Sequence, residues 1–483
     1  MSRIVVLGAG ISGHTAAMRL RERLHSRHEV VVISPNANWN WIPSNIWVGV
    51  GLMRGKDVTF PLAPVYRKLG ITFVQGKALG IYPEGAEGID MPFVEVAHTS
   101  GDGNTERISY DFLVNATGPK LKFEAVEGLG PEKNSLSVCT YGHAEQAARA
   151  LDASVERMRR GEQQTFLIGT SHGLCTCEGA AFEYVFNVEY ELRQRGVRDM
   201  AEIIYISNEY ELGDFGVAGL HFRVNGYITQ SKLWAESLYL ERGIRWITRA
   251  HVERVDPGEV RYETLDGVRH TQRFDFAMLL PPFGGAGLVA FDRSGADITA
   301  DLFAPSGFMR VDADYTVKPF EEWRASDWPA TYQTPRYPNV FAIGIAFAPP
   351  HPISRPRTSL NGTPIGPAPP RTGMPSGVMG REVAHSIADM IESGSGKPTH
   401  RASMARMGAA CVASAGASFF GGTAAAMTMY PIVPDYERFP DYGRDMRFTF
   451  GEIGLGAHWI KHLLHYAFIY KAKAKPGWGL IPE

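Results

Sequence analysis

Residues 3–34, RIVVLGAGISGHTAAMRLRERLHSRHEVVVIS, decide the fold. They hold an apolar run from Ile4 to Leu7, the glycine loop Gly8-Ala9-Gly10-Ile11-Ser12-Gly13, a helical pattern from His14 to Arg27 and a second apolar run from Val30 to Ile33. Strand, glycine loop, helix and strand within about 30 residues is the context a dinucleotide fingerprint requires. Gly8 makes the turn, Gly10 lets a pyrophosphate approach the backbone, and Gly13 lets the helix lie close on the strand. The acidic residue expected at the end of the second strand is missing. Ser34 stands there, with Asn36 two residues on. The pattern fixes a Rossmann-like domain without choosing FAD over NAD.

At 483 residues the chain has length for two or three domains and an ample core. A formal net charge of −2 gives no electrostatic footprint for nucleic acid. Four cysteines, Cys139, Cys175, Cys177 and Cys411, are too few for a disulfide scaffold, so a bridge among them points to catalysis rather than structure. The opening MSRIVVLGAG enters a strand without separate signal-peptide regions, and no signal peptide is expected.

A second decisive stretch is Thr170 to Gly196, TSHGLCTCEGAAFEYVFNVEYELRQRG. Ala181, Val185, Val188 and Leu192 recur at helical spacing and Gly196 is suited to a C-cap, which puts Cys177 at or near a helix N-terminus. There the unsatisfied N–H groups and the helix dipole favour a thiolate. A small buried residue at a turn is the plain alternative for a lone cysteine. Thr165 to Ile168 reads as the first strand of a second nucleotide fold, but Gly169-Thr170-Ser171-His172-Gly173 lacks the glycine spacing that seats a pyrophosphate, which argues against NADH as donor.

Trp39-Asn40-Trp41-Ile42-Pro43-Ser44-Asn45-Ile46-Trp47-Val48-Gly49 reads as neither regular strand nor regular helix. It is a loop packed on the core, or one lying along a planar cofactor. Together with GAGISG, VVIS, FDFAMLLPPF, YPNVFAIGIAF and PPRTG, this run resembles the sulfide:quinone oxidoreductases, a branch of the two-dinucleotide-fold flavoproteins. The resemblance extends over most of the chain.

What it implies is an α/β protein with two Rossmann-like domains and a C-terminal membrane-associating helical segment. Residues 1–120 and 300–395 would form a discontinuous FAD-binding domain, 121–299 the second domain with a redox cysteine, and 396–483 the C-terminal segment with the other. FAD would meet Gly8, Gly10, Ile11, Ser12, Gly13 and Ser34, then Pro43, Ser44 and Asn45, the Gly76-Lys77-Ala78 turn through Ala78, Thr117 and Gly118, Gly344 and Ile345, and Arg371, Thr372 and Gly373. Arg371 stands where the family has lysine and keeps a positive charge for a reduced, anionic flavin, with less mobility. The resemblance assigns Cys177 and Cys411 as the redox pair. It places Cys139 and His143 near the flavin, and makes Glu183 a candidate proton acceptor; a helix-face carboxylate and a satisfied polar histidine are the bland readings of Glu183 and His143. Asp214 stands where the family often has histidine, with His221 as a candidate substitute.

The implied activity oxidises sulfide to polysulfide or sulfur and reduces a membrane quinone, ubiquinone or menaquinone. Residues 407–434 carry no charge, but their Ala, Gly, Ser and Thr content and Pro431 argue against a membrane-spanning helix. In His458 to Lys475, Trp459, Leu463, Leu464, Ala467, Phe468 and Tyr470 share one side of a helical wheel, and Lys461, His462 and His465 the other. Lys471, Lys473 and Lys475 follow. That is the composition of an interfacial helix on an anionic membrane, and a peripheral, monotopic place on the plasma membrane is expected. The resemblance also admits a homo-oligomer. A flavoprotein NADH:quinone dehydrogenase and the flavoprotein subunit of a flavocytochrome c sulfide dehydrogenase are the alternatives.

Overall fold

The run Ile4 to Leu7 becomes the strand Arg3–Leu7, with parallel neighbours on both sides. Glu29–Ser34 pairs on one side, Ile4 opposite Val30 and Leu7 opposite Ile33, and Phe112–Asn115 on the other. A strand covered on both faces should read as continuous Val, Ile and Leu, as this one does. The computed structural model describes residues 1–100, 103–176 and 178–483. Cys177 therefore lies outside the described residues.

The first sheet has eight strands, and Val340–Ala342 returns late in the chain to pair with Phe112–Asn115. On the far side, Glu29–Ser34 pairs with Thr72–Tyr82, which continues antiparallel into Phe93–His98 and Thr105–Ser109. This corrects the expected adenine-facing turn at Gly76-Lys77-Ala78. All three residues lie inside one 11-residue strand, Ala78 opposite Val96, with a bulge before Gly80. A Cβ at Gly76 would stand 2.6 Å from Val96 Cγ1, so the glycine serves sheet packing rather than a turn.

A second, wholly parallel sheet runs Ile244–Ile247, Ala201–Ile206, Gln164–Thr170, Phe276–Leu280. The charge-free residues 407–434 form the hairpin Ala409–Ala415 and Thr423–Met429, with Cys411 opposite Met427. Phe450–Gly454 pairs beside it and meets His221–Val224, giving a five-stranded sheet. The helix Leu455–Ala472 covers this sheet. No helix among the described residues is long and apolar enough to cross a membrane.

Helix Gly373–Ser393 packs along helix Ile11–Leu24. The approach depends on glycine: a Cβ at Gly380 would lie 2.4 Å from Ser12 O. The N-termini of both helices thereby come together at the C-terminal edge of the first sheet, where ligands of such folds sit.

Candidate active site

At the first turn, Gly8 has φ of +97° and its Cβ would meet Ala116 O at 2.2 Å, so no other residue fits. Gly10 has nothing within 4 Å of its Cβ position and faces open space. Helix Ile11–Leu24 starts with no side-chain cap on its N–H groups, and neither does helix Gly373–Ser393. The two meet where a Cβ at Gly373 would lie 3.1 Å from Ile11 Cδ1, and one at Gly344 only 2.4 Å from Ser12 Oγ. Two uncapped helix ends over a side-chain-free ledge form an anion cradle, and a dinucleotide pyrophosphate fits it.

The flanking residues suit the same group. Buried Ser34 accepts the Asn36 N–H at 3.3 Å and keeps its own hydroxyl hydrogen for a ribose. Thr117 donates from Oγ1 to Asn115 Oδ1 at 2.8 Å, and Gly118 at φ +69° is open. Arg371 is buried, donates to Ile345 O at 2.8 Å and Phe347 O at 2.6 Å, and stacks 4.5 Å over Phe308. Its charge is thus fixed beside residues 344–347.

The second turn is built differently. Gly173 O accepts from Gly366 N at 2.8 Å, Cys175 O from Ala368 N at 2.8 Å, and Thr176 Oγ1 donates to Pro369 O at 3.4 Å. A Cβ at Gly173 would stand 2.1 Å from Pro364 O. Residues 364–369 therefore cover the turn that a second dinucleotide would need. Cys175 is buried against Ser171 and donates to Leu280 O at 3.3 Å; burial pushes its thiol up to about 12.

Cys411 reaches this region from the hairpin. Its sulfur stands 3.1 Å from the Cβ position of Gly179, two residues after Cys177. Burial pushes the Cys411 thiol up to about 11, nearby Glu183 adds to the rise and Lys461 opposes it. Glu183 and Lys461 form a buried pair, Oε2 to Nζ 3.1 Å, and Lys461 also donates to Pro43 O at 2.9 Å. Ser414 N donates to Glu183 Oε1 at 3.2 Å. Burial raises the Glu183 carboxyl, and the neighbouring lysine and the Ser414 N–H oppose the rise.

Lys461 belongs to Leu455–Ala472, whose polar side faces the protein. His458, Lys461, His462 and His465 are buried, while Trp459, Ile460, Leu463, Tyr466 and Tyr470 are exposed, Leu463 to 67%. Ser414 Oγ, His458 Nδ1, then His458 Nε2 and His462 Nε2 follow at 2.7 and 3.0 Å. His465 Nδ1 meets Ser44 Oγ at 2.8 Å. The basic side is the buried one, whereas Leu464 and Phe468 of the predicted apolar side pack on the core and Ile460 and Tyr466 join the exposed face; Lys471 does not face solvent. It is buried against Glu483 at 2.6 Å. The i, i+3, i+4 clustering of Lys461, His462 and His465 was the available signal for this lining.

Asn45 donates to Val138 O at 3.3 Å, joining the Pro43-Ser44-Asn45 run to the residue before Cys139. The run is a short 3-10 turn and a five-residue helix rather than a loop, and Trp39, Trp41 and Trp47 are all core residues. Trp41 stacks on Phe468, with ring centres 5.1 Å apart, fastening the C-terminal helix. Cys139 is half-buried and its thiol is pushed up to about 11 by burial. His143 sits in the first turn of Tyr141–Arg159 with Nδ1 unpaired and its ring against Phe123. His221 bonds Gln230 at 3.2 Å and packs on Tyr442 in an outer strand. Asp214 joins Glu178 and Glu209 in a buried acidic group that the sequence reading missed. Burial and the neighbouring acids raise Glu178 well above the usual range, and burial lifts Glu209 to about 7.

A dinucleotide cradle on one nucleotide fold and a covered turn on a second give the architecture of a two-nucleotide-fold oxidoreductase. No family model matches the chain. A sulfide-quinone reductase of Aquifex aeolicus is 30% identical over 470 residues, which span 97% of this chain and 91% of that relative. The X-ray structure of the sulfide:quinone oxidoreductase from this hyperthermophilic bacterium superposes with a TM-score of 0.75 at 28% identity, covering 98% of this chain and 92% of that one. The structure of NDH2 from Plasmodium falciparum in complex with RYL-552 reaches a TM-score of 0.63 over 99% and 97%, and at 11% identity it shares the fold alone. The chain belongs to the sulfide:quinone oxidoreductase family.

Proposed function

We propose that the protein oxidises sulfide and reduces quinone, with FAD in the first-turn cradle and Cys177 and Cys411 as the sulfur-handling pair. The carrying observation is the Cys411 sulfur beside Gly179, with the Glu183–Lys461 pair at hand. FAD, when bound, supplies a two-electron acceptor that quinone reoxidises. Ile11, Ser12 and Gly13 would hold its pyrophosphate, and Ser34 its ribose.

With Cys177 and Cys411 oxidised to a disulfide, hydrosulfide would attack it, forming one S–S bond and breaking another, which leaves a persulfide on one cysteine and a thiolate on the other. Joining that thiolate to the persulfide sulfur gives a three-sulfur bridge and releases two electrons and one proton. Glu183 is the proton acceptor in place, and Lys461 stabilises its charged form. Each further hydrosulfide cleaves the bridge and is joined into it in the same way, giving up two electrons and one proton each time, and attack of one cysteine thiolate on the other cysteine's own sulfur re-forms the two-sulfur bridge and releases the chain as polysulfide. Beside the hairpin, an open cleft of about 590 Å³ between Met374, Ala409, Ala410 and Met429, with Arg438 and Arg447 among its lining, offers an approach.

Quinone is lipid-soluble, and the exposed Trp459, Leu463 and Tyr466 with neighbouring Phe419 and Phe420 form an apolar surface suited to a bilayer interface. That surface favours the quinone reading over a haem partner. The cover of residues 364–369 over the second turn weighs against NADH as donor. The test is the flavin absorbance of anaerobic protein on adding sulfide and then a short-chain quinone. Bleaching by sulfide and not NADH, with colour restored by quinone, supports the proposal. Bleaching by NADH alone would overturn it.

A further inference from the structure

Helix Gly373–Ser393 carries Glu382, His385 and Asp389 on one side, and the chain beyond it brings His400 back beside them. His400 Nδ1 lies 3.2 Å from Glu382 Oε2, and His385 Nδ1 lies 4.0 Å from the same oxygen. The three ligand atoms all fall within 4.8 Å of one another. A tetrahedral metal with bonds of about 2.1 Å spaces its ligands about 3.4 Å apart, so small side-chain rotations close the set.

The neighbouring contacts fix which atom of His400 faces inward. Its Nε2 lies 3.1 Å from Asp389 Oδ2, and Asp389 also accepts from Thr399 Oγ1 and from Arg23, each at 2.7 Å. A carboxylate held this way accepts hydrogen, so a ring hydrogen on His400 Nε2 fits that contact, and Nδ1 is the ring atom that faces Glu382. A metal ion or a proton between Nδ1 and Oε2, 3.2 Å apart, would join the two. The other Glu382 oxygen is taken by Arg381 at 2.6 Å, which leaves Oε2 as the one aimed inward. The His400 backbone is tied to the helix, its N–H donating to Ser386 Oγ at 3.0 Å. A histidine with one nitrogen on the metal and the other on a carboxylate is the arrangement that orients metal ligands, and Glu-x-x-His places two ligands on one helix face.

We infer that Glu382, His385 and His400 form a site for one divalent transition ion of the zinc class, with Asp389 as the orienting carboxylate. Nitrogen and carboxylate ligands suit such an ion better than calcium or magnesium. The ion would clamp residues 394–400 to the helix whose first residue, Gly373, borders the dinucleotide cradle. The competing arrangement is a proton alone, an imidazolium at His400 paired with Glu382.

The test uses the full, flavin-loaded chain after chelation, dialysed against Zn²⁺ and separately titrated with Co²⁺. The variants are H385Q, H400Q and the pair together, each checked for flavin content and melting. The expected result is one Zn²⁺ per wild-type chain beyond that held by the double variant. Each single variant should weaken binding about tenfold or more. Co²⁺ should give visible bands without thiolate charge transfer, and hydrogen exchange of residues 394–400 should slow when Zn²⁺ is present. Equal uptake by wild type and double variant, no uptake by either, or a Co²⁺ spectrum carrying only thiolate charge transfer would overturn the inference.

Discussion

The two nucleotide folds begin alike, as a parallel strand, a turn and a helix, and diverge at the turn. Gly8 to Gly13 is bare, with nothing within 4 Å of the Gly10 Cβ position, whereas Gly173 to Thr176 is roofed by residues 364–369. A helix N-terminus stabilises negative charge whatever carries it, so the bare end suits a pyrophosphate, while the roofed end has no room for one. Occupancy of the space above the turn separates the two ends.

The sharpest way to break this contrast is at the bare turn. Gly13→Val should abolish FAD retention, because its Cβ would meet Gly8 O at 2.1 Å; flavin released on denaturing the purified variant measures it. At the roofed turn, Cys411→Ala should keep FAD yet lose sulfide-driven bleaching, followed by anaerobic stopped-flow absorbance. Retained bleaching would remove the hairpin cysteine from the chemistry. Glu183→Gln should slow bleaching by about 10²–10⁴-fold, the usual weight of a general base. Since Glu183 must be ionised to accept a proton, the rate rises with pH through its pKa. Lys461→Met removes the opposing charge and should move that rise to higher pH, read from the pH–rate profile.

Smaller effects sharpen the outer edges of the comparison. Leu463→Glu with Phe420→Glu should reduce liposome flotation by about tenfold or more, given the cost of losing a buried apolar side chain. Turnover with a short-chain quinone in solution should persist. Burial lowers His465 from 6.5 to about 4, so below pH 6.5 the unfolded chain binds a proton that the folded chain refuses. Stability should therefore fall as pH drops from 6.5 toward 4. His465→Gln should flatten part of that fall in melting temperature.

Local pattern carried much of this structure into the sequence. The period of Arg3–Ser34 and its three glycines act within one supersecondary unit, so strand, turn and helix are readable there. The small residues of Ala409–Ala415 likewise argued against a membrane span, and they form a strand. What escaped depends on distant partners. Lys461 meets Glu183 across 278 residues of sequence, and nothing near either one announces the pair. Gly76 carried a turn signal that pairing with Phe93–His98 overrode. The roof over Gly173 comes from a proline-rich run nearly two hundred positions later, whose composition says only that it is not helix or inner strand.

The helix Leu455–Ala472 couples two properties that most enzymes keep on separate parts. Its outer surface holds Leu463 and Tyr466, and its inner surface supplies the counter-charge of Glu183. A chain shortened before Leu455 to improve its handling in solution would also strip a buried carboxylate of its cation. Solubility engineering at this end should trim side chains from the outer surface and leave the backbone of the helix in place.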